Sequence, residues 1–218
     1  MLDISFIKPK QMLTIVHENT TIAEALDIFE NSNFRAIPIL DTTGELFRGN
    51  IYKMHVYRHM AEHGQMDLPV TTLMRNSTKF INLDAAFYSI FFAIRDLPYI
   101  AVLDHQNHFY GILTHASLME SLSTSWNVDR GSYVLRVRTP GQRGDLQLTS
   151  KVISKYTDIE AVMTSNSHPE NKSVDILFTL PIGLDNMLLQ KIIRGLQRKG
   201  YPVVEIEDLQ LNRISKIY

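Results

Sequence analysis

Ile37-Pro38-Ile39-Leu40-Asp41 returns 63 positions later as Ile100-Ala101-Val102-Leu103-Asp104. Phe47-x-Gly49 returns 62 positions later as Phe109-x-Gly111. Two motifs in the same order at nearly the same shift mark an internal repeat, and a repeat constrains a fold more than any local propensity does. Each apolar run closes on an Asp. The segments that follow, Asp41-Thr42-Thr43-Gly44 and Asp104-His105-Gln106-Asn107, carry turn chemistry. Each copy therefore reads as strand, turn, strand: 36–40 with 46–51, and 100–103 with 109–113.

Helices are expected around these hairpins. Ile22, Ala25, Leu26 and Phe29 fall on one helical face. Thr21 precedes them as an N-cap, with Glu24 three residues on as the partner of a capping box. In the second copy Asp84 stands in the capping position, and 85–94 is so uniformly apolar that a helix buried on most sides is expected. Further helices are predicted near 54–64 and 115–122. A copy of about 60 residues is too small for a sizeable core of its own, so the two should pack together.

The last third follows a different plan. Residues 118–131 lose apolar periodicity and are rich in Ser, which reads as a linker. Then come an alternating strand at 133–138, a Pro140-Gly141-Gln142-Arg143-Gly144 turn, and a helix over 145–156 with Leu146, Val152 and Ile153 inward. A strand at 158–165, a polar loop at 166–172 and a strand at 174–180 follow. A helix over 183–199 carries the stripe Leu184, Met187, Leu188, Ile192 and Leu196, ends at Gly200, and leads into a strand at 201–206. The order β-α-β-β-α-β is the split βαβ, or ferredoxin-like, layout.

The repeat resembles the CBS domain pair, or Bateman module, over about residues 5–122. The elements that match are the Glu24-Ala25 helix, Ala36 to Asp41 and Gly49 in the first copy, and Ile100 to Asp104 and Gly111-Ile112-Leu113-Thr114 in the second. The last third, about 131–210, resembles an ACT domain, and the two in series are similar to acetoin-utilisation-type CBS–ACT regulators. The expected fold class is α/β (α+β): a pseudo-twofold CBS pair with repeats at 1–62 and 63–122, a linker at 123–130, and a ferredoxin-like ACT domain at 131–218.

The CBS resemblance implies two nucleotide clefts. The first would use Met12, Leu13, Thr14, Phe34, Arg35, Ala36, Ile37 and Pro38, faced by Thr114, His115 and Ser117. Phe34 would stack on adenine and Arg35 would meet phosphate. The second would use Lys79, Phe80, Ile81, Leu97, Pro98 and Tyr99, faced by Tyr52, Lys53 and His55. The family's ribose-binding Asp is replaced by Ser117 in one cleft and by His55 in the other. A linear adenosine nucleotide offers two free ribose hydroxyls to such a carboxylate. A 3′,5′-cyclic dinucleotide has its 3′ oxygen esterified and asks for phosphate donors and ring-covering groups instead. Phe34 to Asp41 also looks like the small CBS proteins that bind cyclic di-AMP. Cyclic di-AMP in the first cleft is the expected ligand, with AMP or ATP as the alternative; an amino-acid sensor with degenerate clefts and a ligand-free scaffold are the other readings. No cofactor is expected.

Composition narrows the rest. Of 218 residues, 44% are hydrophobic and 21% charged, with a net charge of -1, an ordinary globular mix with no basic footprint for nucleic acid. Zero Cys excludes disulfides, thiolate metal sites and thiol nucleophiles. The longest apolar stretch, 85–94, falls short of the ~20 residues of a membrane span. His55, His59 and His63 recur every four residues but lack the Glu of a zinc-protease helix, so they read as a solvated or nucleotide-flanking face and no metal is expected. Residues 140–145 stand where ACT domains receive a ligand carboxylate, yet read more simply as a β–α turn. No hydrolase elbow, Walker loop or dinucleotide fingerprint occurs, so no catalytic residue is assigned. The expectation is a cytoplasmic, non-enzymatic receptor for a small nucleotide, a homodimer through ACT edge strands, with a protein partner that the sequence does not name.

Overall fold

The structure, a computed structural model, describes residues 4–168, 173–211 and 213–216. It divides into two compact units, 1–121 and 122–218. The fold is mixed α/β throughout.

The first copy runs β1 (Lys8–Pro9), a 3-10 helix (Lys10–Met12), β2 (Val16–His17), α1 (Ile22–Glu30), β3 (Ala36–Leu40), β4 (Phe47–Tyr52) and α2 (Lys53–Ala61). The second runs β5 (Phe80–Asn82), α3 (Phe87–Ile94), β6 (Tyr99–Leu103), β7 (Phe109–Thr114) and α4 (His115–Ser125). The pairing repeats with the sequence. β2 lies parallel to β3 and β3 antiparallel to β4; β5 lies parallel to β6 and β6 antiparallel to β7. The capping box forms, with the Thr21 hydroxyl accepting from Glu24 N–H and the Glu24 carboxylate from Thr21 N–H.

β3 and β6 are buried along their whole length, and the two-residue period of a strand explains why. Ile37 and Ile39 face the core of the first copy; Ile100 and Val102 face that of the second. The alternate positions, Ala36 and Leu40 with Tyr99, Ala101 and Leu103, meet in a shared apolar layer between the copies. There the two phenylalanines of the repeated Phe-x-Gly motif stack, Phe47 on Phe109, with ring centroids 5.8 Å apart.

The glycines of that motif admit the other copy's backbone. β1 pairs antiparallel with β7, Pro9 opposite Gly111. A Cβ on Gly111 would stand 2.2 Å from the Lys8 carbonyl oxygen. At Gly49 a Cβ would meet Met74 Cγ at 2.6 Å and the Arg75 carbonyl at 2.9 Å. Asp41 and Asp104 close their strands by accepting backbone N–H groups of the following turn: Glu45 and Leu46 for Asp41, Gln106 and His108 for Asp104. The Thr43 hydroxyl also donates to Asp41.

The second unit holds β8 (Gly131–Thr139), α5 (Asp145–Ile153), β9 (Ala161–His168), β10 (Ser173–Pro181), α6 (Asn186–Arg198), β11 (Val203–Asp208) and β12 (Arg213–Lys216). Its antiparallel sheet runs β12-β11-β8-β10-β9. Without β12 this is the ferredoxin-like order, last strand beside first and third beside second. Its core is built from Leu135, Val137, Ile176, Phe178 and Leu180 against Val152, Ile153, Leu189, Ile192, Ile193 and Leu196.

Several sequence expectations change. α3 starts at Phe87 with Ala86 as its cap residue, not Asp84, and it is not buried on most sides, since Tyr88 and Phe92 project into solvent. The stretch read as a linker is helical to Ser125 and turns once more, as a 3-10 helix, over Val128–Arg130. Leu146 and Met187 are exposed, while Thr149, Leu189 and Ile193 take the inward places. The rest of the expected stripes holds: Val152 and Ile153 on α5 and Ile192 and Leu196 on α6 are buried. Residues 166–168 continue β9; the rest of the loop expected there, 169–172, lies outside the described residues.

Gly111→Ala should cost about 1–3 kcal/mol or more, since the clash is with backbone and cannot relax by a rotamer change. A denaturation midpoint equal to wild type would refute the crossing. The bonds from Leu46 and Thr43 hold the Asp41 carboxyl at about 2, below the usual 3.8. Its contribution is present above 3.8 and is lost as pH falls from there toward 2. Asp41→Asn should flatten the stability profile over that window, as followed by fluorescence.

Candidate functional site

Two cavities lie side by side in the first unit. The first, about 330 Å³, is walled by Met12, Leu13 and Thr14, by Asn33 to Ala36 and Pro38, and by Pro98, Tyr99, Ile112, Thr114 and Lys8. The chain brings these together because β1 is held on β7 while the segment that follows returns beside the start of β3. Of the first-cleft candidates, Met12, Leu13, Thr14, Phe34, Arg35, Ala36, Pro38 and Thr114 line this cavity. Ile37 does not; it is buried in the core, as the strand period requires. His115 is exposed and outside the lining. Ser117 is buried in α4: its N–H donates to Thr114 Oγ1 at 3.1 Å, and the two hydroxyls share a bond of 3.0 Å. Thr114 thus caps α4 and keeps its place on the cleft wall. Lys8, Asn33, Tyr99 and Ile112 were not assigned to this cleft from the sequence. Lys8 was missed because its place depends on β1 joining the other copy's sheet.

Phe34 is 45% exposed, so a ring face is open to a ligand. The Arg35 guanidinium has no hydrogen-bond or ion-pair partner among the described residues. The lining holds two cations, Lys8 and Arg35, and no carboxylate.

Of the second-cleft candidates, Tyr52, Lys53 and Pro98 line one cavity, described below, and the others do not join them there. Ile81 is in the core, Leu97 packs against it, and Lys79 and Phe80 are exposed. Tyr99 is buried, and its hydroxyl donates to the buried Asn50 Oδ1 at 2.6 Å. The Tyr52 hydroxyl accepts from Asn76 Nδ2 at 2.6 Å. Under the repeat, Tyr99 and Asn50 stand where Ala36 and Ile112 wall the first cleft. A phenol and an amide fill the space that a methyl group leaves open. Burial pushes the Tyr99 phenol well above its ordinary range, and Tyr52 beside it adds to this, so it donates at any physiological pH. His55 sits at the α2 position that matches Ser117. Its ring packs on Tyr52, its Nδ1 is buried without a partner among the described residues, and burial, then Arg75 and Arg58, depress its pKa.

The second cavity, about 430 Å³, is walled by Tyr52, Lys53, Met54 and Tyr57 with Arg35 and Pro98. Arg35 and Pro98 line both cavities. Among the described residues no His, Asp or Glu group gathers to hold a metal; His59 is hydrogen-bonded to the Gln65 carbonyl at 2.9 Å, and His63 lies past the end of α2. No helix among them is long and apolar enough to cross a membrane. In the second unit, the Asp145 carboxylate accepts from Gln142 N–H and from the Tyr201 hydroxyl, so the 140–145 turn carries its own anion.

Residues 9–62 match the CBS domain family model. No curated protein matches the chain in sequence. Among solved structures, CbpB from Streptococcus agalactiae aligns at 18% identity and a TM-score of 0.50, over 56% of this chain and 80% of that one. CbpB in complex with c-di-AMP aligns at 18% identity and 0.50, over 55% and 83%. A hypothetical conserved protein from Geobacillus kaustophilus aligns at 20% identity and 0.52, over 57% and 97%. These likenesses show the fold, and the resemblance to CBS-pair proteins read from the repeat agrees with them.

Tyr99→Phe should lower stability by about 1–3 kcal/mol by leaving the Asn50 carbonyl buried without its donor. An unchanged urea midpoint would remove the hydrogen bond as a determinant of the packing around Tyr99.

Proposed function

We propose that this chain is a non-enzymatic nucleotide receptor that binds cyclic di-AMP in the first cleft and passes its occupancy to a protein partner. The observation that carries the reading is the lining of that cleft: Lys8 and an unpartnered Arg35, an open ring face on Phe34, and no carboxylate. A cyclic dinucleotide is a dianion with two planar bases and no free 3′ hydroxyl, and it asks for this set of groups. A linear AMP or ATP would lack the acceptor its ribose diol uses, because the α4 position is Ser117 and its hydroxyl is already shared with Thr114. The fold likeness to CbpB, one structure of which is a complex with c-di-AMP, supports the same choice without deciding it. Signalling requires only that the ligand bind one arrangement of the chain more tightly than another.

Calorimetric titration should rank cyclic di-AMP above AMP and ATP, and Arg35→Ala should weaken cyclic di-AMP by about tenfold or more, the scale of a charged hydrogen bond. Tighter binding of AMP or ATP would replace this reading with an energy-sensing one.

A further inference from the structure

The two cavities are neighbours with a common wall. Their shared residues are Arg35, whose guanidinium is without a partner, and Pro98. On one side of Arg35 lies the Phe34 cleft. On the other lies a cavity lined by Tyr52, Tyr57, Met54 and the stem of Lys53. The polar tips of that second lining are already engaged. The Tyr57 hydroxyl donates to Glu30, the Tyr52 hydroxyl accepts from Asn76, and the Lys53 ammonium donates to the Phe29 carbonyl at 2.7 Å while lying 5.5 Å from the Tyr57 ring centroid. What this cavity offers a ligand is ring faces and aliphatic surface, the chemistry of a planar heterocycle and not of a phosphate.

The order across the two cavities is therefore aromatic, cation, aromatic. A cyclic dinucleotide has the complementary order of base, anionic phosphodiester ring, base. We infer that the two cavities form one extended site, with one base in the Phe34 cleft, the phosphodiester ring at Arg35, and the second base in the Tyr52–Tyr57 cavity. This rests on the cyclic di-AMP reading and adds to it that one ligand spans both cavities, the second of which takes in Tyr52, Lys53 and Pro98 from the second expected cleft. It also gives Tyr57 and Met54, which the sequence did not single out, a part in choosing a dinucleotide over a mononucleotide.

The test is calorimetry with cyclic di-AMP on the wild-type chain and on Tyr57→Ala, Tyr57→Phe and Met54→Ala, each checked for folding by circular dichroism. Stacking of one base predicts that Tyr57→Ala loses about tenfold or more in affinity while Tyr57→Phe, which keeps the ring, retains it. Met54 is largely exposed, so Met54→Ala keeps the fold, and a loss of a few-fold is expected. Wild-type binding with Tyr57→Ala and Met54→Ala unchanged would overturn the second subsite and leave the receptor reading standing. Should Tyr57→Ala misfold, Met54→Ala decides alone. No binding to the wild-type chain would overturn both.

Discussion

The close crossing of Lys8 over Gly111 is the contact on which the site depends. The two copies could pack through their apolar layers without it, since Phe47 on Phe109 and the alternating faces of β3 and β6 already form a shared core. The crossing adds position. It fixes β1 on the edge of the second copy's sheet, and the chain that leaves β1 supplies Met12, Leu13 and Thr14 to the cleft wall, with Lys8 beside them. A glycine at 111 is needed for space and not for a strained backbone angle, because any Cβ there would meet the Lys8 carbonyl. Gly49 plays the matching part for the other copy against Arg75.

The symmetry that the repeat sets up is broken at its clefts. Ala36 and Tyr99 are equivalent positions at the start of equivalent strands, and both face the layer between the copies. The small side chain leaves a cavity; the large one fills its own place and holds Asn50. Interiors close-pack wherever they can, so the difference between alanine and tyrosine at one repeat position changes what the layer between the copies encloses on each side.

The sequence made the fold legible wherever a repeat or a strict period constrained it. The paired hairpins, the Thr21 capping box and the ferredoxin-like order of the second unit all follow from spacing. What it could not show depended on packing between distant segments. Lys8 reaches the cleft only through β1 crossing into the other sheet, and Tyr57 and Met54 line a cavity only because α2 lies beside Pro98. Tyr99, expected in the second cleft, is buried, donates to Asn50 and walls the first cavity. The exchange of Leu146 for Thr149 on α5, and of Met187 for Leu189 and Ile193 on α6, has a similar origin: neighbouring positions let more than one helix face look inward, and the partner surface makes the choice.

Charge shows the same lesson at longer range. A net charge of -1 gives no hint of how the charges are distributed. Yet along β3, five residues that span about 17 Å at the usual rise per residue, the two signs are separated. Arg35 stands just before the strand, unpaired and in the lining of both cavities. Asp41 stands just after it, its carboxylate consumed by the N–H groups of its own turn. Glu45 and Asp104 lie with it at that end, near His108. An acid placed at the cleft end would pair with Arg35 and cancel the attraction for phosphate. Placed at the turn end, Asp41 and Asp104 accept the N–H groups of the hairpin turns and leave Arg35 without an acidic partner among the described residues.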